Sequence, residues 1–190
     1  LEICDAEFSS LRGIAQGVCL LGELSAASLD AIQAFGELLS TRIIATRLAS
    51  VGIATKWIDS REIVKTSSVG GKNVVDMEQT YSNVEKMIES NPIASLFVLP
   101  GFISSDAHGR TTTLGRGGSD YSASLFAVGC KARVLEIWTD VPGMMTSNPK
   151  IVPSARSIKN ISYRAALELS HFGAKVIYPP TIQPVVAEGI

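Results

Sequence analysis

The amino-acid sequence predicts an α/β fold of three layers, α/β/α, in which helices cover both faces of a mostly parallel central sheet. Three observations predict it. Apolar residues recur at helical spacing through residues 7–50, as in Phe8, Leu11 and Ile14. Leu96–Leu99 is a short, wholly apolar run of the kind that is buried inside parallel sheets. Polar stretches follow this run and the next apolar one, as expected where loops leave the carboxyl ends of strands.

The first half of the chain is predicted to contain three helices and two strands. The first helix ends at Gly22, and the second begins after Ser25 or Ser28, because serine is a favoured N-cap residue. Gly70-Gly71 predicts a turn, and Asn91-Pro92 ends the third helix. The predicted helices are 7–22, Ser25 to about Ser50, and 79–90, and the predicted strands are Ile53–Ile58 and Leu96–Leu99.

The second half is predicted to begin with a long loop, Pro100–Ser119, and long loops in compact domains are usually functional. Ser119 is expected to cap a helix that ends near Gly129. The remaining predicted elements are a strand at Arg133–Trp138, a loop to Asn160, a helix from its cap Ser162 to about Ser170, and a helical segment after Pro180. The loops after Leu99 and Trp138 would then lie at the same edge of the sheet and face one site.

Composition restricts the class of protein. The chain has 190 residues, of which 46% are hydrophobic and 18% charged, and this predicts one folded domain, or one large piece of a domain, rather than a disordered segment. A net charge of −1 gives no electrostatic basis for binding nucleic acid or an anionic membrane. Three widely spaced cysteines predict reduced thiols in a cytoplasmic protein, and no apolar run has the length of a membrane span. Because the chain begins at Leu1 and ends at Ile190 beside an apolar segment, we expect it to be incomplete at both ends.

The most informative stretch is Thr111–Ala123, where three glycines, an arginine, a serine and an aspartate lie within six residues. Glycines let the main chain approach a ligand closely, and the start of a helix presents unpaired N–H groups, so this stretch predicts a cradle for an anion. Arg116 adds a planar fork that matches a carboxylate or phosphate, Gly117 and Gly118 keep the approach open, and Ser119 can donate to the ligand. An ordinary glycine turn with a capping serine is the alternative.

Four further charged residues are candidates, each with a structural alternative. Asp120, in the first turn of a helix, would position a lysine, a metal or a substrate amine, or would only stabilise the helix. Asp140 would hold a nucleotide, Mg²⁺ or a neighbouring basic group, or would only form a turn. Glu37 would meet a substrate ammonium, or be a half-buried helix residue. Lys175 would reach a nucleotide phosphate, or be a solvated charge.

Together these stretches resemble the aspartokinases of the amino acid kinase superfamily. The matching segments follow one another in the family's order with similar spacing: Phe35–Ser40, Gly101–Ile103, Thr111–Tyr121, Ile137–Gly143 and Phe172–Val176. The resemblance implies the amino acid kinase fold, with residues 1–190 forming part of the catalytic domain. It also implies phosphorylation of the side-chain carboxylate of L-aspartate by ATP and Mg²⁺. The product is 4-phospho-L-aspartate, and the reaction is the first committed step towards lysine, threonine and methionine.

The resemblance further implies a role for each candidate. Glu37 would bind the ammonium group of aspartate, Arg116 would hold its α-carboxylate, and residues 117–119 would line the pocket. Asp120 would be the catalytic residue that orients the site, and no residue is assigned to a metal. The nucleotide would be held by Thr139, Asp140, Met145, Lys150, Lys175 and Val176. Positioning and charge neutralisation carry phosphoryl transfer, and the protein supplies little covalent chemistry.

The chain also departs from the family's pattern. The family's N-terminal motif Lys-Phe-Gly-Gly-Thr-Ser, whose lysine neutralises the transferred phosphoryl group, has no counterpart, nor do its Ser-rich loop and its regulatory ACT domains. Met145, Asn148 and Lys150 stand where members often have Tyr, Asp and Arg. We therefore expect the chain alone to be inactive. A non-catalytic nucleotide- or aspartate-binding fragment, and another activity of the superfamily, are the alternatives.

Two further expectations follow from the resemblance. Ser162–Ala174 and the region Gly22–Leu24 look closest to aspartokinases that are fused to homoserine dehydrogenase. Family members are usually dimers or larger, so a homo-oligomer is expected.

Overall fold

The computed structural model of the chain describes residues 2–172 and 176–190. Within these residues seven helices are interspersed with six strands, as in an α/β fold. The helices are α1 (Glu2–Leu21), α2 (Ala26–Ser50), α3 (Ser60–Ile63), α4 (Met77–Glu89), α5 (Gly118–Gly129), α6 (Tyr163–His171) and α7 (Pro179–Glu188). The strands are β1 (Thr55–Trp57), β2 (Thr66–Val69), β3 (Lys72–Val75), β4 (Leu96–Val98), β5 (Ile103–Ser105) and β6 (Thr111–Thr113).

The long helix α2 connects the N-terminal part of the chain to the middle of the fold. It begins as the sequence predicts, because the Ser25 hydroxyl accepts a hydrogen bond from the backbone N–H of Ser28 at 3.1 Å. On its inner face, the fully buried side chains of Ala34 and Leu38 pack with Ile103 of β5. This contact places α2 beside the segment that precedes β5.

The parallel part of the fold is the pair β1–β4, in which Thr55 lies opposite Leu96 and Trp57 opposite Val98. A further isolated parallel bridge joins Lys65 to Ser105. The strand predicted at Leu96–Leu99 is confirmed, but its first residue, Leu96, is 37% exposed rather than fully buried. The reason is that β1 is the one strand paired with β4 among the described residues.

Two antiparallel hairpins stand where the sequence predicted only a turn at Gly70-Gly71 and a long loop at Pro100–Ser119. β2 and β3 turn through Gly70-Gly71, and β5 pairs with β6 so that Ile103 faces Thr113. The prediction of one long loop at Pro100–Ser119 was therefore wrong. Isoleucine and threonine favour strands, and Gly109, with φ of +76°, supplies the tight turn between the two strands.

The prediction of a strand at Arg133–Trp138 was also wrong. Within the described part of the chain this segment pairs with no strand, and Val134 and Trp138 are 67% and 89% exposed. An apolar run forms a strand only where a neighbouring backbone accepts its hydrogen bonds. The helix after it follows the prediction, since the Ser162 hydroxyl caps α6 through the N–H of Ala165.

Helices α4 and α5 approach each other closely at Gly129, the last residue of α5. A Cβ atom added to Gly129 would lie 2.8 Å from the Cβ of Val84, whose side chain is fully buried in α4. The Cβ of Val84 is fixed to its own backbone, so it cannot rotate away.

Replacing Gly129 with alanine is expected to lower the free energy of unfolding by about 1–3 kcal/mol, the usual cost of overpacking. Gly17→Ala in α1 is the matched control, because nothing lies within 4 Å of a Cβ added there. Alanine in that open helical position is expected to stabilise by about 0.5–1 kcal/mol. Urea unfolding of both variants measures the difference, and a Gly129→Ala midpoint equal to that of the wild type would contradict the close approach.

Candidate functional site

The glycine loop, which we define as residues 114–118, joins β6 to α5. Gly115 and Gly117 have φ of +69° and +71°, a conformation that glycine adopts without steric cost. Gly117 is the N-cap of α5 and makes no side-chain capping bond. The prediction that Ser119 caps this helix was therefore wrong, because the turn closes two residues earlier and Ser119 lies in the first helical turn.

The start of α5 offers donors to a ligand. The backbone N–H groups of Ser119 and Asp120 have no acceptor among the described residues, whereas the N–H of Tyr121 bonds to the carbonyl of Gly117 at 3.0 Å. Arg116, just before them, is exposed and forms no ion pair within the described chain. Unpaired N–H groups and the positive end of the helix dipole attract anions, so the geometry fits the predicted anion cradle.

A second loop, residues 100–102, packs against the start of α5. A Cβ atom on Gly101 would lie 3.1 Å from the Cα of Ser119. The next residue, Phe102, has φ of +69°, and its N–H donates to the Ser122 hydroxyl at 2.9 Å. A non-glycine residue in this left-handed region stores about 1–3 kcal/mol of strain, and such residues cluster at functional sites. The sequence patterns assigned no role to Phe102 or Ser122.

The ring of Tyr178, which directly precedes α7, lies on Gly117. A Cβ atom on Gly117 would be 2.4 Å from Cγ of Tyr178 and 2.5 Å from its Cβ. Only a residue without a side chain fits under this ring. Nothing in the sequence pattern around Tyr178 indicates the contact, since the two residues are far apart in the chain.

Asp120 is half-buried in the first turn of α5. Burial raises the pKa of its carboxyl group above the ordinary aspartate value. None of the described residues forms an ion pair with it. A carboxylate that is desolvated without a counter-charge is typical of a functional site.

Glu37 lies on α2, half-buried, one residue before the core side chain of Leu38. Leu38 belongs to the cluster that includes Phe102 and Ile103, so Glu37 sits on the helix that borders the second loop. Its backbone carbonyl accepts a hydrogen bond from the Thr41 hydroxyl at 2.6 Å. Among the described residues no ion pair joins Glu37 to Arg116.

Among the described residues, no hydrogen bond joins Thr139, Asp140 or Lys150 to the glycine loop. Thr139 and Asp140 are exposed, and the Thr139 hydroxyl donates to Oδ1 of Asp140 at 3.2 Å. Lys150 is exposed as well, and its N–H donates to the side chain of Asn148 at 3.0 Å. The segment before them pairs with no described strand, so no strand hydrogen bonds link this loop to the β1–β4 sheet.

The other nucleotide candidates lie near a separate core cluster of Met144, Ala166 and Ile182. Met145 follows Met144 and makes an isolated antiparallel bridge to Ser157. Val176 packs against the cluster itself. The structure therefore places these two candidates around the same cluster. Lys175 lies outside the described residues.

None of the described helices combines the length and the apolar character that crossing a lipid bilayer requires. The described residues also contain no group of three or more His, Cys, Asp or Glu side chains placed to hold a metal ion.

Comparison with known proteins agrees with the fold and with the sequence motifs. The model of the amino acid kinase family matches residues 6–190. Lysine-sensitive aspartokinase 3 of Escherichia coli is 35% identical over 185 residues, which are 95% of this chain and 41% of that protein. The bifunctional aspartokinase/homoserine dehydrogenase of Buchnera aphidicola is 39% identical over 186 residues, which are 97% of this chain and 22% of that protein.

Two solved structures of E. coli aspartokinase III have the same fold. The complex with aspartate and ADP, in the R-state, aligns with a TM-score of 0.88 at 34% identity and covers 98% of this chain and 41% of that one. The complex with lysine and aspartate, in the T-state, aligns with a TM-score of 0.84. The chain thus spans less than half the length of these relatives. The α/β fold and the resemblance to aspartokinases are confirmed, and the chain belongs to the amino acid kinase family.

Proposed function

We propose that the protein containing this chain is an aspartate kinase of lysine, threonine and methionine biosynthesis. It would transfer the γ-phosphoryl group of ATP to a side-chain carboxylate oxygen of L-aspartate, giving 4-phospho-L-aspartate and ADP. The observation that carries the proposal is the start of α5, beside residues 100–102. There an exposed Arg116 lies next to two N–H groups that have no acceptor among the described residues. Support comes from the likeness to an aspartokinase whose complex contains aspartate and ADP. Residues 1–190 would form part of the catalytic domain of a cytoplasmic homo-oligomer.

The acceptor half of the site would recognise both charged groups of an amino acid. Arg116 would pair with the α-carboxylate through its planar fork, and the N–H groups of Ser119 and Asp120 would add donors. Glu37 would pair with the ammonium group, while Gly117 and Gly118 leave room for the ligand. Holding both ends of a small amino acid leaves its side-chain carboxylate free to attack the phosphoryl group, and orientation of this kind lowers the barrier.

The nucleotide half would hold ATP through the six predicted residues, namely Thr139, Asp140, Met145, Lys150, Lys175 and Val176. Mg²⁺ usually takes one or two protein carboxylates together with substrate phosphates and water. The exposed carboxylate of Asp140 fits that demand. When bound, the ion neutralises charge on the phosphates. Asp120 would orient the cationic groups around the reacting phosphoryl group.

One alternative has a specific observation in its favour. Within the described part of the chain no hydrogen bond joins residues 139–150 to the glycine loop, and no stretch of the sequence matches the family's N-terminal lysine motif. The 190-residue chain by itself would then bind aspartate or a nucleotide without turning over.

The test uses the product of the complete open reading frame, with ATP, Mg²⁺ and a panel of amino acids, and compares it with the 190-residue chain. ADP release measures turnover, and hydroxylamine converts an acyl phosphate into a hydroxamate that can be identified. We expect aspartate-dependent ADP release and aspartyl hydroxamate from the complete protein only. Arg116→Lys is expected to raise the KM for aspartate about 10- to 100-fold, because a bidentate charged contact is lost.

Arg164→Lys is the control, since this exposed arginine pairs only with Glu168 on α6 among the described residues. It is expected to leave both substrate KM values unchanged. Hydroxamate from a different amino acid would assign another activity of the superfamily. A folded complete protein that releases no ADP with any acceptor would refute the kinase proposal and leave the binding role.

A further inference from the structure

The short helix α3 carries a set of partly buried contacts that the proposed function does not use. Asp59 caps α3, and its Oδ1 accepts the backbone N–H of Arg61 at 3.0 Å. The Arg61 guanidinium returns to the same carboxylate, with Nε to Oδ1 at 3.0 Å and Nη2 to Oδ2 at 2.6 Å. This fork-shaped pairing fixes the plane of the guanidinium. The hydrogen bonds to Asp59 also raise the pKa of Arg61.

The fixed arginine reaches both strands of the β5–β6 hairpin. Nη1 of Arg61 donates to the Thr111 hydroxyl at 3.2 Å. The backbone carbonyl of Arg61 accepts hydrogen bonds from the Ser105 hydroxyl at 2.6 Å and from Nζ of Lys65 at 2.7 Å. Ser105 and Thr111 lie directly opposite each other in the hairpin. One residue of α3 therefore bonds to both strands of the hairpin, at two residues that lie opposite each other.

The other end of this hairpin carries the proposed aspartate site. β5 begins directly after Phe102, and β6 ends at Thr113, directly before the glycine loop. The neighbouring residue of α3, Ser60, donates its hydroxyl to the carbonyl of Pro100, at the start of the second loop. Each strand is three residues long, so a displacement at Thr111 is passed along the strand to the glycine loop.

We propose that Arg61, held by Asp59, is a positioning residue for the glycine loop. It fixes Ser105 and Thr111, and through them the place of Arg116 relative to the start of α5. The expected effect of Arg61 on aspartate binding rests on the proposed function. Its expected effect on the position of the glycine loop does not. Arg61 sets the affinity for the acceptor rather than the rate of transfer, because the loop determines where the α-carboxylate is held.

Two substitutions test the contact from both sides. Arg61→Lys keeps the positive charge and loses the fork, and Thr111→Val keeps the shape and loses the hydroxyl acceptor. In the complete enzyme, each is expected to raise the KM for aspartate about fivefold, the factor that one lost hydrogen bond supplies. The kcat and the KM for ATP should stay within about twofold of wild type, since neither side chain forms a hydrogen bond or ion pair with a described nucleotide residue. The double variant is expected to match Arg61→Lys, because both changes remove the same contact.

Arg110→Lys is the matched control, because Arg110 also pairs with an aspartate, Asp106, next to the same hairpin. It is expected to change neither KM. Amide hydrogen exchange gives a second readout that needs no acceptor: residues 114–119 should exchange faster in Arg61→Lys and in Thr111→Val, with α6 unchanged. If the complete enzyme does not phosphorylate aspartate, the proposed function fails and this exchange still decides the positioning role. Unchanged exchange at residues 114–119, or an unchanged KM for aspartate in an active enzyme, would overturn the proposal.

Discussion

Replacing Asp120 with asparagine is expected to lower the kcat of the complete enzyme by about 100-fold or more, the loss that follows removal of a positioned polar group at a reacting centre. Asparagine keeps the shape of aspartate and its place in the first turn of α5, so the fold should be retained. The KM for ATP should change little if Asp120 acts on the reacting groups rather than on nucleotide binding. Steady-state kinetics of the variant, alongside its circular dichroism spectrum, measure both expectations.

The same substitution is expected to stabilise the protein without ligand. Burial raises the pKa of Asp120 in the folded state, so the folded protein binds this proton more tightly than the unfolded chain does. The carboxyl group therefore costs stability as the pH rises through the folded pKa, and the cost is fully present at neutral pH. Asp120→Asn should raise the thermal midpoint at pH 7, and the gain should vanish as the pH falls below the ordinary aspartate pKa.

Asp106→Asn is the control, and its expected change in thermal midpoint has the opposite sign. Desolvation alone would raise the pKa of Asp106, but hydrogen bonds from Arg110 and His108 lower it by more, so its pKa lies below the ordinary aspartate value. Its replacement should lower the thermal midpoint at neutral pH, again with no difference in strong acid. An Asp120→Asn protein with wild-type kcat would contradict the catalytic assignment. A lower thermal midpoint at pH 7 would contradict the burial argument.

Gly117→Ala is expected to have the second largest effect. The left-handed backbone at this position costs a non-glycine residue about 1–2 kcal/mol. The added Cβ would also lie 2.4 Å from the ring of Tyr178, and relief of that overlap costs about 1–3 kcal/mol more. Both energetic costs fall on the residue that caps the start of α5. We therefore expect a lower free energy of unfolding and a higher KM for aspartate.

Gly109→Ala separates the backbone cost from the cost of the overlap with Tyr178, because Gly109 has a similar φ of +76° but nothing within 4 Å of an added Cβ. It should show the backbone cost alone and leave the KM for aspartate unchanged. Adding Tyr178→Ala to Gly117→Ala should recover part of the lost binding. Equal unfolding free energies for the Gly117 and Gly109 variants, measured in urea, would show that the Tyr178 contact is not close.

The sequence predicted the structural features that neighbouring residues determine, such as helix caps and helix lengths. The cap and length of α2 followed from Ser25 and the apolar periodicity after it, and the bounds of α6 followed from Ser162. The hairpin β5–β6 was not predicted, because pairing between Ile103 and Thr113 depends on a neighbouring strand rather than on either segment alone. The strand expected at Arg133–Trp138 failed for the same reason, since its backbone has no partner strand among the described residues.

In the candidate site, too, features that residue type determines were predicted, whereas contacts between distant segments were not. Arg116 and the glycines after it could be predicted because their residue types restrict backbone and ligand chemistry directly. The cap at Gly117 was missed in favour of Ser119, because side-chain preference predicts a serine cap whereas a left-handed glycine closes the turn. The backbone angle of Phe102 and the contact of Tyr178 could not be predicted, since the first depends on the local fold and the second on packing between distant segments.

The contact between Tyr178 and Gly117 restricts how homologous sequences can diverge, and it restricts position 117 more than position 178. Position 178 can accept smaller residues during evolution, since a smaller side chain only leaves space above the loop. Position 117 cannot drift in return, because its left-handed backbone disfavours every side chain even when the space is free. An alignment of homologues should therefore show variation at the tyrosine without compensating variation at the glycine.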